Sequence, residues 1–139
     1  MMTRLTLNIP GPARGKARPR VVQGHAYTPD PGGWVQTVGY MALREWGRPC
    51  WDGPVGMAIE VHRAMPAGWS QKKRARMDGA PCEATPDAVN VGASVCDALE
   101  HIVYPNDKQV ASISCLKTWG VTHETLIEVW QMKGEGSGM

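Results

Sequence analysis

The chain has 139 residues, 42% hydrophobic and 20% charged, with a formal net charge of +2. That length suits a single domain that buries a core without disulfides or a structural metal, and that balance excludes a disordered or collagen-like chain. No apolar run approaches the roughly 20 residues of a membrane-spanning helix, and the start MMTRLTLNIPGP lacks the apolar stretch of a secretory signal, so a cytoplasmic location is expected.

Leu5-Thr6-Leu7-Asn8-Ile9 alternates apolar and polar and predicts a strand, ended by Pro10-Gly11-Pro12. The Gly- and Pro-rich stretch Gly15–Gly33 predicts a long loop with a short hairpin around Gln23-Gly24. Trp34, Val38, Met41 or Ala42, and Trp46 recur at helical spacing and predict a helix over 34–46. Val55, Met57, Ile59 and Val61 share one face of a predicted strand over 55–62. Ser70 is a fitting cap for a short basic helix, Gln71–Met77. Thr85 or Asp87 begins the next helix, which runs to Glu100 or His101. Tyr104–Asp107 forms a turn, and 109–119 and 123–132 read as two strands of an antiparallel hairpin around Gly120. The expected fold is an α/β domain of the α+β type, a mixed β-sheet with helices packed on it, over 1–132. Residues 133–139, KGEGSGM, are expected to be a flexible tail.

Charge is unevenly placed. Arg4, Arg14, Lys16, Arg18 and Arg20 precede any acidic residue, and Arg63, Lys72, Lys73, Arg74 and Arg76 form a second acid-free window. From Asp78 to Asp107 the chain carries acids and no Lys or Arg. Basic flanks around an acidic centre suit a polyanion held at its edges. Cys50, Cys82, Cys96 and Cys115 show no paired ligand spacing and read as free thiols.

On the helix after Pro86, Asp87, Asn90, Ser94 and Asp97 fall on one polar arc, beside an apolar stripe of Val91, Val95, Ala98, Leu99 and Ile102. Carboxylates that converge on Mg²⁺ can activate water and neutralise phosphate charge. Asp107 follows a Pro-Asn turn, and a hairpin packed beside the helix start would return it towards Asp87.

The order of these motifs resembles the RusA family of Holliday junction resolvases, in particular its phage and prophage branch. KARPRVVQGHAYTP (16–29) is similar to that family's basic N-terminal segment, and GPVGMAIEVHRAMPAGWSQKKRARMDG (53–79) to its central strand and basic stretch. TPDAVNVGASVCDALEHIVYPNDKQV (85–110) is similar to its acidic motif, P-D-x-D-N, then D-A-L, then a D-D-x-Q-V turn. The resemblance implies a homodimeric, Mg²⁺-dependent endonuclease, with Mn²⁺ as a substitute, that nicks four-way DNA junctions and contributes to DNA recombination and repair. Asp87 and Asp107 match the metal-binding, catalytic aspartates, and Asn90 and Asp97 match supporting positions. Lys16, Arg18, Arg20, Lys72, Lys73, Arg74 and Arg76 are the expected DNA contacts.

The departures are specific. Val89 stands at the second aspartate of D-x-D, Ala93 at the family's lysine, and Asn106 at the first aspartate of the turn. Lys108 is available to replace the missing lysine, and Glu83, Asp97 or His101 to supplement the acids. An alternative is a protein of this family that binds branched DNA without cutting it; a protein–protein interaction domain on the same fold is a third reading.

Overall fold

The computed structural model describes residues 4–16, 20–27 and 30–132. Arg18 and the tail 133–139 lie outside the described residues, as do the side chains of Arg20 and Tyr27. The elements are β1 (Arg4–Pro10), β2 (Arg20–Val22), β3 (His25–Tyr27), α1 (Trp34–Trp46), β4 (Val55–Ala64), α2 (Gln71–Met77), α3 (Ala88–Leu99), β5 (Val110–Gly120) and β6 (Glu124–Gln131). A mixed four-stranded sheet has the order β1-β6-β4-β5, and β2 and β3 form the separate small hairpin expected around Gln23-Gly24.

The period-2 pattern decides which face is buried. Leu5, Leu7 and Ile9 of β1 stand opposite Val129, Ile127 and Thr125 of β6, which in turn oppose Met57, Ile59 and Val61 of β4. All these side chains are buried. The alternate residues, Arg4, Thr6 and Asn8, then Glu128 and Leu126, then Ala58, Glu60 and His62, lie on the opposite face, where they line an open surface rather than a core. On the buried side α1 contributes Trp34, Val38, Ala42 and Trp46, each one turn after the last. Alongside it α3 contributes Val91, Val95, Ala98 and Leu99. Burying a Val or Leu side chain fully is worth about 1.5–3 kcal/mol, so these two stripes are what hold the helices on the sheet.

The expected hairpin of the last two strands is not formed. β4 lies between β5 and β6, parallel to the first and antiparallel to the second. β4 buries Val55, Met57, Ile59 and Val61 and is the strand best suited to be paired on both edges. The link 121–123 therefore steps across two inter-strand spacings, about 10 Å, which three extended residues can span. With that hairpin gone, nothing folds Asp107 back towards the start of α3.

Candidate active site and nucleic-acid interface

Helix α3 is fixed at both ends by the side chains that flank it. Asp87 is its N-cap: one carboxylate oxygen accepts from the Asn90 backbone N–H at 2.8 Å and the other from Asn90 Nδ2 at 3.2 Å. The strand-to-helix link just before it is tied to the sheet. Lys117 Nζ donates to the carbonyls of Ala84 and Pro86, and the Arg63 guanidinium donates to the Thr85 carbonyl. At the far end Tyr104, fully buried, donates its hydroxyl to the Cys96 carbonyl at 2.8 Å. Burial pushes that phenol well above its ordinary pKa, so it stays a donor. Burial likewise raises the Cys96 and Cys115 thiols.

Asn106 caps the turn that follows, in a capping box with Gln109, and the Asp107 backbone N–H donates to Glu100 Oε2 at 2.8 Å. Asn106 is thus a structural capping residue where the family places an acid. The Gln109 amide also clamps the carbonyls of Trp51 and Gly53.

Asp107 consequently stays at the C-terminal end of α3, while Asp87 sits at its N-terminal end. The intervening helix has 12 residues, about 18 Å at 1.5 Å per residue. Asp97 shares the C-terminal end and pairs with Lys16 Nζ at 2.9 Å. That hydrogen bond, the Asp97 charge and the more distant Asp107 and Glu100 charges all raise the lysine's pKa. Segment 13–16 lies along α3: Lys16 N–H donates to the Asn90 carbonyl, and a Cβ on Gly15 would come within 2.9 Å of Asn90 Cβ. Among the described residues no group of three or more His, Cys, Asp and Glu side chains is placed to hold a metal ion. The carboxylates of one chain therefore do not make the ligand set expected for Mg²⁺, and the expectation of a cation shared by Asp87 and Asp107 within a single chain is not what this geometry offers.

Two further positions differ from the expected polar arc. Ser94 is buried, with no hydrogen-bond partner among the described residues, so it belongs to the packed side of α3. Val89 is 83% exposed instead. Val89 and Ala93 line an open groove with Ala88, Gly92, Cys96 and the β5 residues Ile113 and Cys115. The family's acid and lysine positions are here part of one apolar surface.

The basic residues divide by use. Arg14 and Lys108 are exposed. On α2, capped by Ser70 as the sequence predicts, Lys72 and Arg76 are exposed. Lys73 instead sits 4.3 Å over the Trp69 ring, and Arg74 donates to the Pro66 carbonyl. Trp69 packs edge-on against Trp119 at 4.9 Å, which is the packing role expected for it. The contact between segment 13–16 and α3 was missed from sequence; Gly15 in an otherwise basic run is the one signal of a close approach.

A family model described as Endodeoxyribonuclease RusA matches residues 10–130. The chain belongs to the RusA endodeoxyribonuclease family. It is also 30% identical over 124 residues to a protein of Bacillus subtilis (strain 168) called "Uncharacterized protein YqaN", covering 84% of this chain and 86% of that one. RusA proteins act on branched DNA junctions as Holliday junction resolvases, so this chain's family is one of nucleases for branched DNA. The mixed four-stranded sheet with helices packed on it agrees with the expected fold class. No described helix is long and apolar enough to cross a membrane.

Proposed function

We propose that this chain binds four-way DNA junctions and cuts them as a divalent-cation-dependent, homodimeric endonuclease. What carries the reading is the family match over residues 10–130, joined to an α3 bounded by Asp87 at one end and Asp97, Glu100 and Asp107 at the other. Lys72 and Arg76 on α2, with Arg14 and Lys108, present free cations for phosphate contacts, and Arg18 and Arg20 belong to the same basic run. Phosphate contacts of this kind give affinity and salt dependence rather than sequence choice. Asn90 acts by holding Asp87 through two hydrogen bonds. Lys16 is a positioning residue for Asp97, and its charge is already partnered.

A second reading, junction binding without cleavage, is favoured by one observation: Val89 and Ala93 present an apolar groove where an acid and a lysine are expected. The two readings separate in one experiment. A labelled four-way junction and a linear duplex of the same sequence are titrated with protein in EDTA, then supplied with Mg²⁺ or Mn²⁺. The nuclease reading expects a salt-sensitive shift that prefers the junction, followed by nicks with either cation. A shift without nicks supports the second reading, and equal affinity for duplex and junction rejects both.

A further inference from the structure

The sheet has one edge built to be covered. β5 is 11 residues long, and its last part is already paired on the outer side. Gly79 N–H donates to the Trp119 carbonyl, Trp119 N–H to Ala80, and Cys82 N–H to Lys117. Backbone groups of alternate residues point the same way in a strand, so the N–H and C=O of Ala111, Ile113 and Cys115 also point away from β4. None of these groups has a partner among the described residues outside the strand pairing. The free stretch, VASISCL (110–116), contains no charge and no proline. Edge strands are normally protected by charges, Pro or a cover, and the opposite edge, β1, carries Arg4 and Pro10. Ile113 is 47% exposed and Leu116 55%.

We infer that the free edge of β5 pairs antiparallel with the same edge of a second copy of this chain, centred on Ile113, and that this sets Asp87 of one copy beside Asp107 of the other. Three observations single out a second copy. Segment 79–82 blocks the edge beyond Leu116, so Ile113 is the centre of the stretch that remains, and a two-fold axis there pairs all of it. The same point is the middle of α3: an added Cβ on Gly92 would lie 3.1 Å from Ile113 Cδ1. The charges complement each other end to end. Lys117 and Arg63 are tied to the link preceding α3, whereas Asp97, Glu100 and Asp107 gather at its end.

A two-fold axis through an antiparallel strand pair stands perpendicular to the sheet, so both copies of α3 lie on the same face and run in opposite directions. Val89 and Ala93 then face the second copy across the groove, and the small side chains of Ala88, Gly92 and Ala93 allow close approach. The N-terminal end of one α3 meets the acidic end of the other. The carboxylates that stand at opposite ends of α3 in one chain are thereby brought to the same place twice per dimer. This rests on the homodimeric nuclease reading and supplies the geometry that a single chain lacks.

Two measurements test it. Sedimentation of the wild type in Mg²⁺ is expected to show a dimer, and Ile113→Lys, which sets two like charges on the axis, a monomer with unchanged circular dichroism. Ile113→Pro gives the same result by removing an outward N–H that β4 does not use. A dimer that survives both substitutions overturns this interface and leaves a homodimeric nuclease standing; a wild type that is monomeric at all concentrations overturns both. For the site, Asp87→Asn and Asp107→Asn are purified separately, mixed, and titrated with Mn²⁺ by calorimetry. Neither variant alone binds the ion. The mixture is expected to recover roughly a quarter of the wild-type sites, because half of randomly formed dimers are mixed and each has one intact pair. No recovery on mixing, or Mn²⁺ binding by a wild-type monomer, overturns the shared site. Recovery of Mn²⁺ binding without any nicking would remove the nuclease reading while supporting this one.

Discussion

Replacing Asp87 separates its two tasks, starting the helix and supplying a carboxylate. Asp87→Ala removes the acceptor for the Asn90 N–H and for Asn90 Nδ2. Loss of such a cap costs about 1 kcal/mol, within a range of roughly 0.5–2. Asp87→Asn keeps an acceptor and loses only the interaction of the negative charge with the helix dipole, about 0.3–1 kcal/mol. Unfolding entropy near 2.1 cal/mol/K per residue, over 139 residues, is roughly 290 cal/mol/K, so each kcal/mol moves the midpoint by about 3.5 °C. Differential scanning calorimetry in EDTA should place Asp87→Ala about 2–7 °C below the wild type and Asp87→Asn about 1–3.5 °C below it. Both should lose nicking, because neither side chain is a carboxylate. An alanine variant as stable as the wild type would refute the capping argument. An asparagine variant that falls as far as alanine would refute the division between cap and charge.

Gly56→Ala sets a Cβ 2.4 Å from Trp130 Cε2 and forces that ring off its place 5.8 Å under Arg4, so stability should fall by about 1–3 kcal/mol in a denaturant titration. His62 bridges Glu60 at 2.9 Å and Glu124 at 3.1 Å, and the Glu60 hydrogen bond raises its pKa above 6.5 against the opposing effect of burial. The folded value being the higher one, this stabilisation is complete below about pH 6.5 and is lost as pH rises through the folded value; His62→Gln should flatten that decline in thermal scans from pH 6 to 8. Val89→Asp with Ala93→Lys returns an acid near Asp87 and a lysine one turn on, and single-turnover nicking of a junction should rise by about tenfold or more; general acid–base assistance is worth roughly 10²–10⁴. No gain over the wild type would argue against a role for those two positions in this chain.

The parts of the fold set by local chemistry were legible in the sequence. Helix α1 spans 34–46 and α2 spans 71–77 behind Ser70, as their spacing and cap predict, and α3 takes Asp87 rather than Thr85 as its cap. The pairing of the last two strands was not legible, because which strand occupies a middle position depends on partners far along the chain: β4 takes both neighbours by burying four apolar side chains on one face. Ser94 and Val89 exchanged roles for a similar reason. Periodicity places residues on an arc, and the neighbouring elements decide which part of the arc is covered. In the site, Asp87 was placed correctly at the helix start. The position of Asp107 depended on Glu100 and on the Asn106 capping box, which hold the turn at the helix end. The pair between Lys16 and Asp97 joins residues 81 positions apart and has no local signature.

The account's central claim is tested most directly by mapping breaks on a four-way junction whose strands carry separate end labels, incubated with Mg²⁺ and either the wild type or Asp87→Asn. Paired breaks at symmetric positions in two opposing strands, present with the wild type and absent with the variant, are what the account expects. An intact junction at excess wild-type protein with both Mg²⁺ and Mn²⁺, or equal cutting by the two proteins, would contradict it.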